Sequence, residues 1–434
     1  MSRTNRWRVA IALLLTPTLL LAACEQVTPT PRPTRTRIIA TETVEPTDTP
    51  TDVPTAVGTA TPTIGPQPTP RPAAAGAPAA PKPAVTDPLL PIFAPFPPKP
   101  IPSRPSNINP LTGLAADPAA LQRRPILARI GNDQKVRESF WQAGLNSADI
   151  VFEELIDILG AQYANTRYTA VFLSNDPPLI GPIRSGRIIN FQLVPMLDGA
   201  LSHAGASNGT RWLFSQSPMT NLDEFFNQPA YCYIQSHGYQ GRLYTTVPRL
   251  RQWLTQKGWE APVQLYGFNF ADPAPSGQPI TSIGFNKAPW PSWDAAQWTY
   301  APASGKYLRS ATGAPVMDTT FPVTAKWGNG ADCVPSGSQT QSQVNTANVV
   351  VLYATHEKTD IIEDSNNAVS VHVILTGQGD ATFFRDGVMV NGKWQRRTEQ
   401  EFFNLTDAAG NPYSLKPGNT FFEIVPIGYK MDLK

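Results

Sequence analysis

Charge is scarce in this sequence. Asp, Glu, Lys and Arg make up 16% of its 434 residues and nearly cancel at a net +2, against the usual quarter of charged residues in soluble domains. So even a balance gives no electrostatic case for nucleic acid or another polyanionic surface. Histidine is rarer still. His203, His237, His356 and His372 are scattered without an H-x-x-x-H, and no C-x-x-C occurs, so the spacings of zinc sites are missing. Gly-rich phosphate loops are also absent, and "DGVMVNGKWQR" lacks the alternating oxygen ligands and closing Glu of a calcium loop. The expectation is therefore no metal and no cofactor. Long apolar runs are missing too. The run at 9–21 is too short for a spanning helix, which needs about 20 residues.

What the chain does have is proline, and it is unevenly placed. Of 46 prolines, 22 fall between Glu25 and Ser106. The same segment is rich in Thr and Ala and holds few large apolar groups before Leu89, too few to offset chain entropy. It reads as a disordered Pro/Thr-rich stalk. At about 3.1 Å per residue it would reach roughly 250 Å fully extended. Ahead of it stand Arg3, Arg6 and Arg8, then the short apolar run, then "LAAC" ending at Cys24. Charge, apolar stretch and small residues in that order read as a secretory signal. The "LAAC" box resembles the bacterial lipobox, which implies cleavage before Cys24, a lipid on its sulfur, and residence on the extracytoplasmic face of a bacterial membrane. Only Cys232 and Cys333 remain. In an exported chain they either form a disulfide or stay as two buried thiols.

From Asn107 the composition turns globular. "RPILARI" (124–130) and "RYTAVFLS" (167–174) read as strands, and "SADIVFEEL" (147–155) as a strand or a short helix. "SGRIINFQLVPML" reads as a helix capped by Ser185, and "TVPRLRQWLTQKG" as a helix capped by Thr246 and stopped by Gly258. After a Pro-, Trp- and Gly-rich stretch, short strands follow at 348–355, 370–377, 381–387, 392–397 and 419–426, with turns at "GQGD", "DGVMVNG" and "LKPGN". The pattern predicts an α+β protein. A mixed α/β domain (107–262) precedes a β-rich domain (263–434), after a signal (1–23) and a lipidated linker (24–106).

The motifs "NPLTGL", "RPILARIGND", "AGLNSADIVFEE", "TRYTAVFLS", "IGPIRSGR" and "HAGAS" occur in that order, followed by "GQGDATFFRDGVMVNGKWQR" and "YSLKPGNTFFEIVP". Together they resemble the YerB-like lipoproteins, domain of unknown function 3048, with N- and C-terminal parts. The resemblance implies an exported lipoprotein with a two-part head and carries no established activity. The family commonly follows an Arg with a His-Asn pair before its Y-x-T stretch. Here "GRLYTTVPRL" keeps Arg242, Tyr244 and Thr246 but lacks that pair.

The residues that point to chemistry sit in "IGPIRSGRIINF". Arg184 and Arg187, three residues apart at a predicted helix start, would share one face. There, free amides and guanidinium forks together favour a carboxylate or phosphate. Arg167, Ser185, His203 and Arg242 are expected to converge on the same anion site. The competing account is internal: Glu153, Glu154 or Asp198 neutralise the arginines as structural ion pairs. A rival site is Ser207 in "GASNG", which fits the G-x-S-x-G of a nucleophile elbow, with His356 or His372 and Asp318 or Asp332 as triad partners. No pair among these is convincing, so the expectation is a non-catalytic head that binds an anionic envelope ligand or a protein partner. The aromatics Trp394, Phe402, Phe403, Phe421 and Phe422 read as core rather than as a glycan platform.

Overall fold

The computed structural model describes residues 103–325 and 332–434. The expected signal, Cys24 and the expected stalk up to residue 102 lie outside the described residues. Three apolar runs form the centre of the fold: β1 (Ile126–Gly131), β2 (Ile150–Leu155) and, after the short β3 (Asp157–Leu159), β4 (Thr166–Phe172). Every residue of β1, β2 and β4 is buried. Burial along the whole strand marks a sheet covered on both faces, and it forces the charges these strands carry, Arg129, Glu153, Glu154 and Arg167, to find partners inside. β5 (Ala200–His203) and β6 (Thr220–Asp223) extend the sheet in parallel beyond β1.

The second half of the chain completes that same sheet. Its strands are β7 (Asn348–Ile362), β8 (Val369–Ile374), β9 (Gly377–Arg385), β10 (Val388–Arg396) and β11 (Thr420–Pro426). The order across the sheet is β10-β9-β7-β11-β2-β4-β1-β5-β6. β11 lies parallel to both β2 and β7. The predicted boundary at 262/263 therefore divides the sequence but not the sheet. A smaller sheet built from Ser282–Phe285, Ala296–Ala301 and Lys306–Ala311 supplies the buried Trp298, Tyr307 and Arg309.

Two local readings change. The stretch "GQGD" is the start of β9 rather than a turn, and the β9–β10 hairpin closes on Asp386-Gly387 alone. Both residues have positive φ, 54° and 73°, as a two-residue Asp-Gly loop requires. The helix expected from Ser185 begins later, as α1 (Asn190–Leu197), with no side-chain cap. Residues 180–186 lie extended instead. Ile183 N donates to Leu243 O, Arg184 N to Arg129 O, and Gly186 N to Gly205 O. The amides meant to form a helix start are already bonded to neighbouring chain. The helix read in "TVPRLRQWLTQKG" falls as predicted. α2 (Asn208–Gln216) follows "HAGAS", and α3 (Val247–Gln256) is capped by Thr246, whose side chain accepts from Arg249 N.

Glu153 and Glu154 show how strand alternation distributes charge. Successive side chains of a strand point to opposite faces. Glu154 meets Arg129 of β1 on one face, and Glu153 meets Arg309 of the smaller sheet on the other. Arg309 also pairs with Glu423, which lies beside Glu153 in the parallel register. This second group is sealed, with Glu153, Arg309 and Glu423 all at 0% exposure. Burial and the neighbouring Glu423 and Asp294 hold the Glu153 pKa well above the carboxylate range, although Arg309 opposes them.

Candidate functional site

At the carboxyl ends of β1, β2, β5 and β6 the structure opens a cleft of about 900 Å³. Ligands of open α/β sheets favour this edge, and the volume suits a small-molecule site. Arg167, Arg184, Ser185, Arg187 and Arg242 all line it. Arg167 comes from β4; the next three come from the extended segment laid across the end of β1.

The arginines differ in their partners. Arg187 is 7% exposed and holds Asp157 of β3 with two bonds, Nε–Oδ1 at 2.8 Å and Nη2–Oδ2 at 3.2 Å. Glu363, just past β7, stands 3.6 Å from its Nη1. Burial works to lower the Arg187 pKa, but Asp157 and Glu363 outweigh it and the pKa is raised. Arg187 is thus internally neutralised. The acids expected for this role are engaged elsewhere: Glu154 with Arg129, Glu153 with Arg309, and Asp198 with Arg124.

Arg184 is looser. Its nearest acid, Asp133, is 3.9 Å away, and its Nε has no acceptor. Burial lowers its pKa; Asp133 opposes this and Arg187 adds to it. Arg167 is the extreme case. It is 6% exposed, and among the described residues no carboxylate lies within ion-pair reach of it. Glu154 stands opposite in the β-register but bonds Arg129. Arg167 Nη1 donates to the Ser185 carbonyl at 3.1 Å, and its Nε has no acceptor. Burial, then the guanidinium groups of Arg187, Arg184 and Arg129, push its pKa well down, against the pull of Asp157, and Glu154 attracts it without bonding it.

Arg242 sits at the rim between two phenol rings, 5.6 Å from the Tyr233 centroid and 5.3 Å from that of Tyr239. The Tyr233 hydroxyl donates to Glu224. Acids thus share the lining with the arginines, but most already have partners. Asp157 and Glu363 face Arg187, Glu224 accepts from Tyr233, and Asp133 accepts from Val136 N.

Two sequence expectations are corrected here. Ser185 contributes its carbonyl, which accepts from Arg167 and from Arg129 Nε at 3.4 Å, and its side chain caps no helix. His203 lies beneath the cleft at 0% exposure, Nδ1 against Gly205 O at 2.8 Å and Nε2 against Asn221 Oδ1 at 2.5 Å. It braces the turn and does not reach the cleft.

The Ser207 triad does not assemble among the described residues. The strand–turn–helix context is present, but the Ser207 hydroxyl caps α2 by accepting from Thr210 N at 3.3 Å. Asp318 accepts from the backbone N–H groups of Leu145 and Asn146. Asp332 sits in a bridge with Tyr233. His356 packs edge-on against Tyr163, and His372 pairs in register with Glu357. Cys232 and Cys333 are joined, with Cα atoms 5.0 Å apart. Trp394, Phe402, Phe403, Phe421 and Phe422 are core.

Sequence reasoning missed Arg129, Asp157 and Glu363. For Arg129 a signal existed, since a charge inside the apolar run "ILARIG" must find a buried partner. For Asp157 and Glu363 none did, because they meet Arg187 from distant points in the chain.

Comparison with known families places the chain in a class. Residues 111–260 match the N-terminal domain, and residues 287–422 the C-terminal domain, of the family described as "Protein of unknown function (DUF3048)". Together the matches cover well over half the chain, which belongs to this family. Among curated proteins it is similar to "Putative lipoprotein YerB" of Bacillus subtilis (strain 168), at 24% identity over 325 residues, 73% of this chain and 86% of that protein. A crystal structure of the YerB protein from Bacillus subtilis has the same fold, with a TM-score of 0.57 and 21% sequence identity over 75% of this chain and 99% of that one.

Proposed function

We propose that this protein is a membrane-tethered, extracytoplasmic binding head whose arginine-lined cleft holds an anionic group of an envelope ligand. The relative's name, the signal-like N-terminus and the box at Cys24 support the tether. One observation carries the binding reading: Arg167 is buried, lacks a carboxylate partner among the described residues, and has guanidinium groups as its main charged neighbours. A buried, unpaired charge is costly. A carboxylate or phosphate in the cleft would supply the missing partner through two-pronged guanidinium bonds.

The test uses thermal melts of the full-length protein, with acetate, phosphate or sulfate added at constant ionic strength. Bound anion should raise the melting temperature of the native protein. Arg167→Met should abolish that rise and, in anion-free buffer, leave stability equal or higher, because it removes like-charge repulsion. Arg187→Met is the control. It strands Asp157 and Glu363 and should cost about 3–5 kcal/mol. If Arg167→Met is as destabilising as Arg187→Met, and anions stabilise both variants as well as the native protein, the cleft arginines are structural and the reading fails.

A further inference from the structure

The rim of the cleft narrows the ligand class. Its exposed apolar surface is aromatic. Tyr239 is 83% exposed and Trp293 is 44% exposed, and both line the cleft. The aliphatic side chains that line it, Ile156, Ile183 and Leu243, are themselves buried at 2%, 2% and 7%. Lipid tails and aliphatic peptide side chains would find little to bury against. A flat ring with an apolar C–H face would find two platforms. The Trp293 platform is fixed in place, because its Nε1 donates to Ala164 O at 3.0 Å. Tyr239 is steadied by Arg242, which sits over its ring. Gln134, Asn165 and Gln240 also line the cleft; Gln134 Nε2 donates to Glu138 and Asn165 Oδ1 accepts from Thr166 N, which leaves the Gln134 oxygen, the Asn165 NH2 and the Gln240 amide to pair with a ligand. Hydroxyl-rich ligands need that pairing. A volume of about 900 Å³ holds more than a single sugar.

We infer that the cleft takes an acidic saccharide, a short chain of pyranose rings bearing carboxylate. Its anionic group lies against Arg167 and Arg184, and its ring faces lie on Trp293 and Tyr239. This rests on the anion-binding reading above and adds the sugar.

Calorimetric titration of the full-length protein separates the two. The probes are an oligogalacturonate trimer, the matching neutral oligosaccharide, acetate, and glucose 6-phosphate. The uronate trimer should bind at least about tenfold more tightly than acetate, a difference of 1.4 kcal/mol, and the neutral oligosaccharide more weakly than the trimer. Tyr239→Ala and Trp293→Ala should erase the trimer's advantage while leaving acetate binding in place. Tyr239 is so exposed that its variant carries little folding risk. Acetate binding as tightly as the trimer, or aromatic variants without effect, overturns the saccharide inference and leaves the anion site standing. Tighter binding of glucose 6-phosphate overturns the carboxylate assignment. No binding of any anion overturns both readings.

Discussion

At the scale of single residues, the cleft face of the sheet is a contest between burial and pairing. Glu154 and Arg129 bond each other at 0% exposure, yet Glu154 is raised from its ordinary 4.5 to about 7 and Arg129 is lowered. In both, burial is the largest cause and the partner only partly offsets it. The sign of the pH effect follows. A carboxyl with a raised folded pKa binds more protons in the native than in the unfolded chain between those two values. Its contribution to stability is complete below about 4.5 and is lost as pH rises to about 7. Glu154→Gln should therefore gain stability relative to the native protein as pH rises through this window. Urea midpoints measured from pH 4.5 to 7.5 check this, and a constant difference would count against it. Arg129 and Arg167 were legible as anomalies, as charges inside strand sequences. Which acid each would meet was not, because in β-register Glu154 faces Arg167 while its bond goes to Arg129.

At the scale of elements, local signals succeeded where the chain obeys its own capping chemistry. Thr246, Pro248 and Gly258 delimit α3 as read, and the strands around Ile126, Thr166 and Val349 follow from their β-branched and aromatic runs. They failed at Ser185. There a cap-like residue before an apolar run suggested a helix, but β1 and residues 243–245 take up the backbone of 180–186 as an added strand. Propensity yields when neighbouring strands offer a full set of hydrogen bonds. The Ser207 signal had the opposite fate. Its strand–turn–helix setting is real, and the serine's role is a cap. Ser207→Ala should cost about 0.5–2 kcal/mol through the start of α2 and leave ligand affinity in the cleft unchanged. Thermal melts and the titration above test this, and a loss of affinity without loss of stability would return Ser207 to the site.

At the scale of the whole molecule, the two family segments share one sheet, because β2 of the first pairs along its length with β11 of the second, and they are expected to unfold together. The Cys232–Cys333 bond reinforces this by closing a separation of 101 residues. Restricting a loop that long in the unfolded chain stabilises by about 4–5 kcal/mol in the chain-entropy account. Replacing both cysteines by alanine should lower the calorimetric melting temperature and keep a single transition; two separated transitions would mean that the halves fold independently. By itself the sequence determined a mixed helix-and-strand fold with strands dominating the second half, the composition break near residue 107, the family, and five arginine-segment, strand and loop positions that do line one cleft. Each rests on short-range chemistry, such as turn residues, caps and apolar period, that adjacent residues carry. Only the tertiary structure decided which arginine is neutralised and which is left without an acid. Asp157 and Glu363 reach Arg187 from 30 residues before it and 176 residues after it, and pairing in a low-dielectric interior depends on distances of a few ångströms that no local pattern encodes.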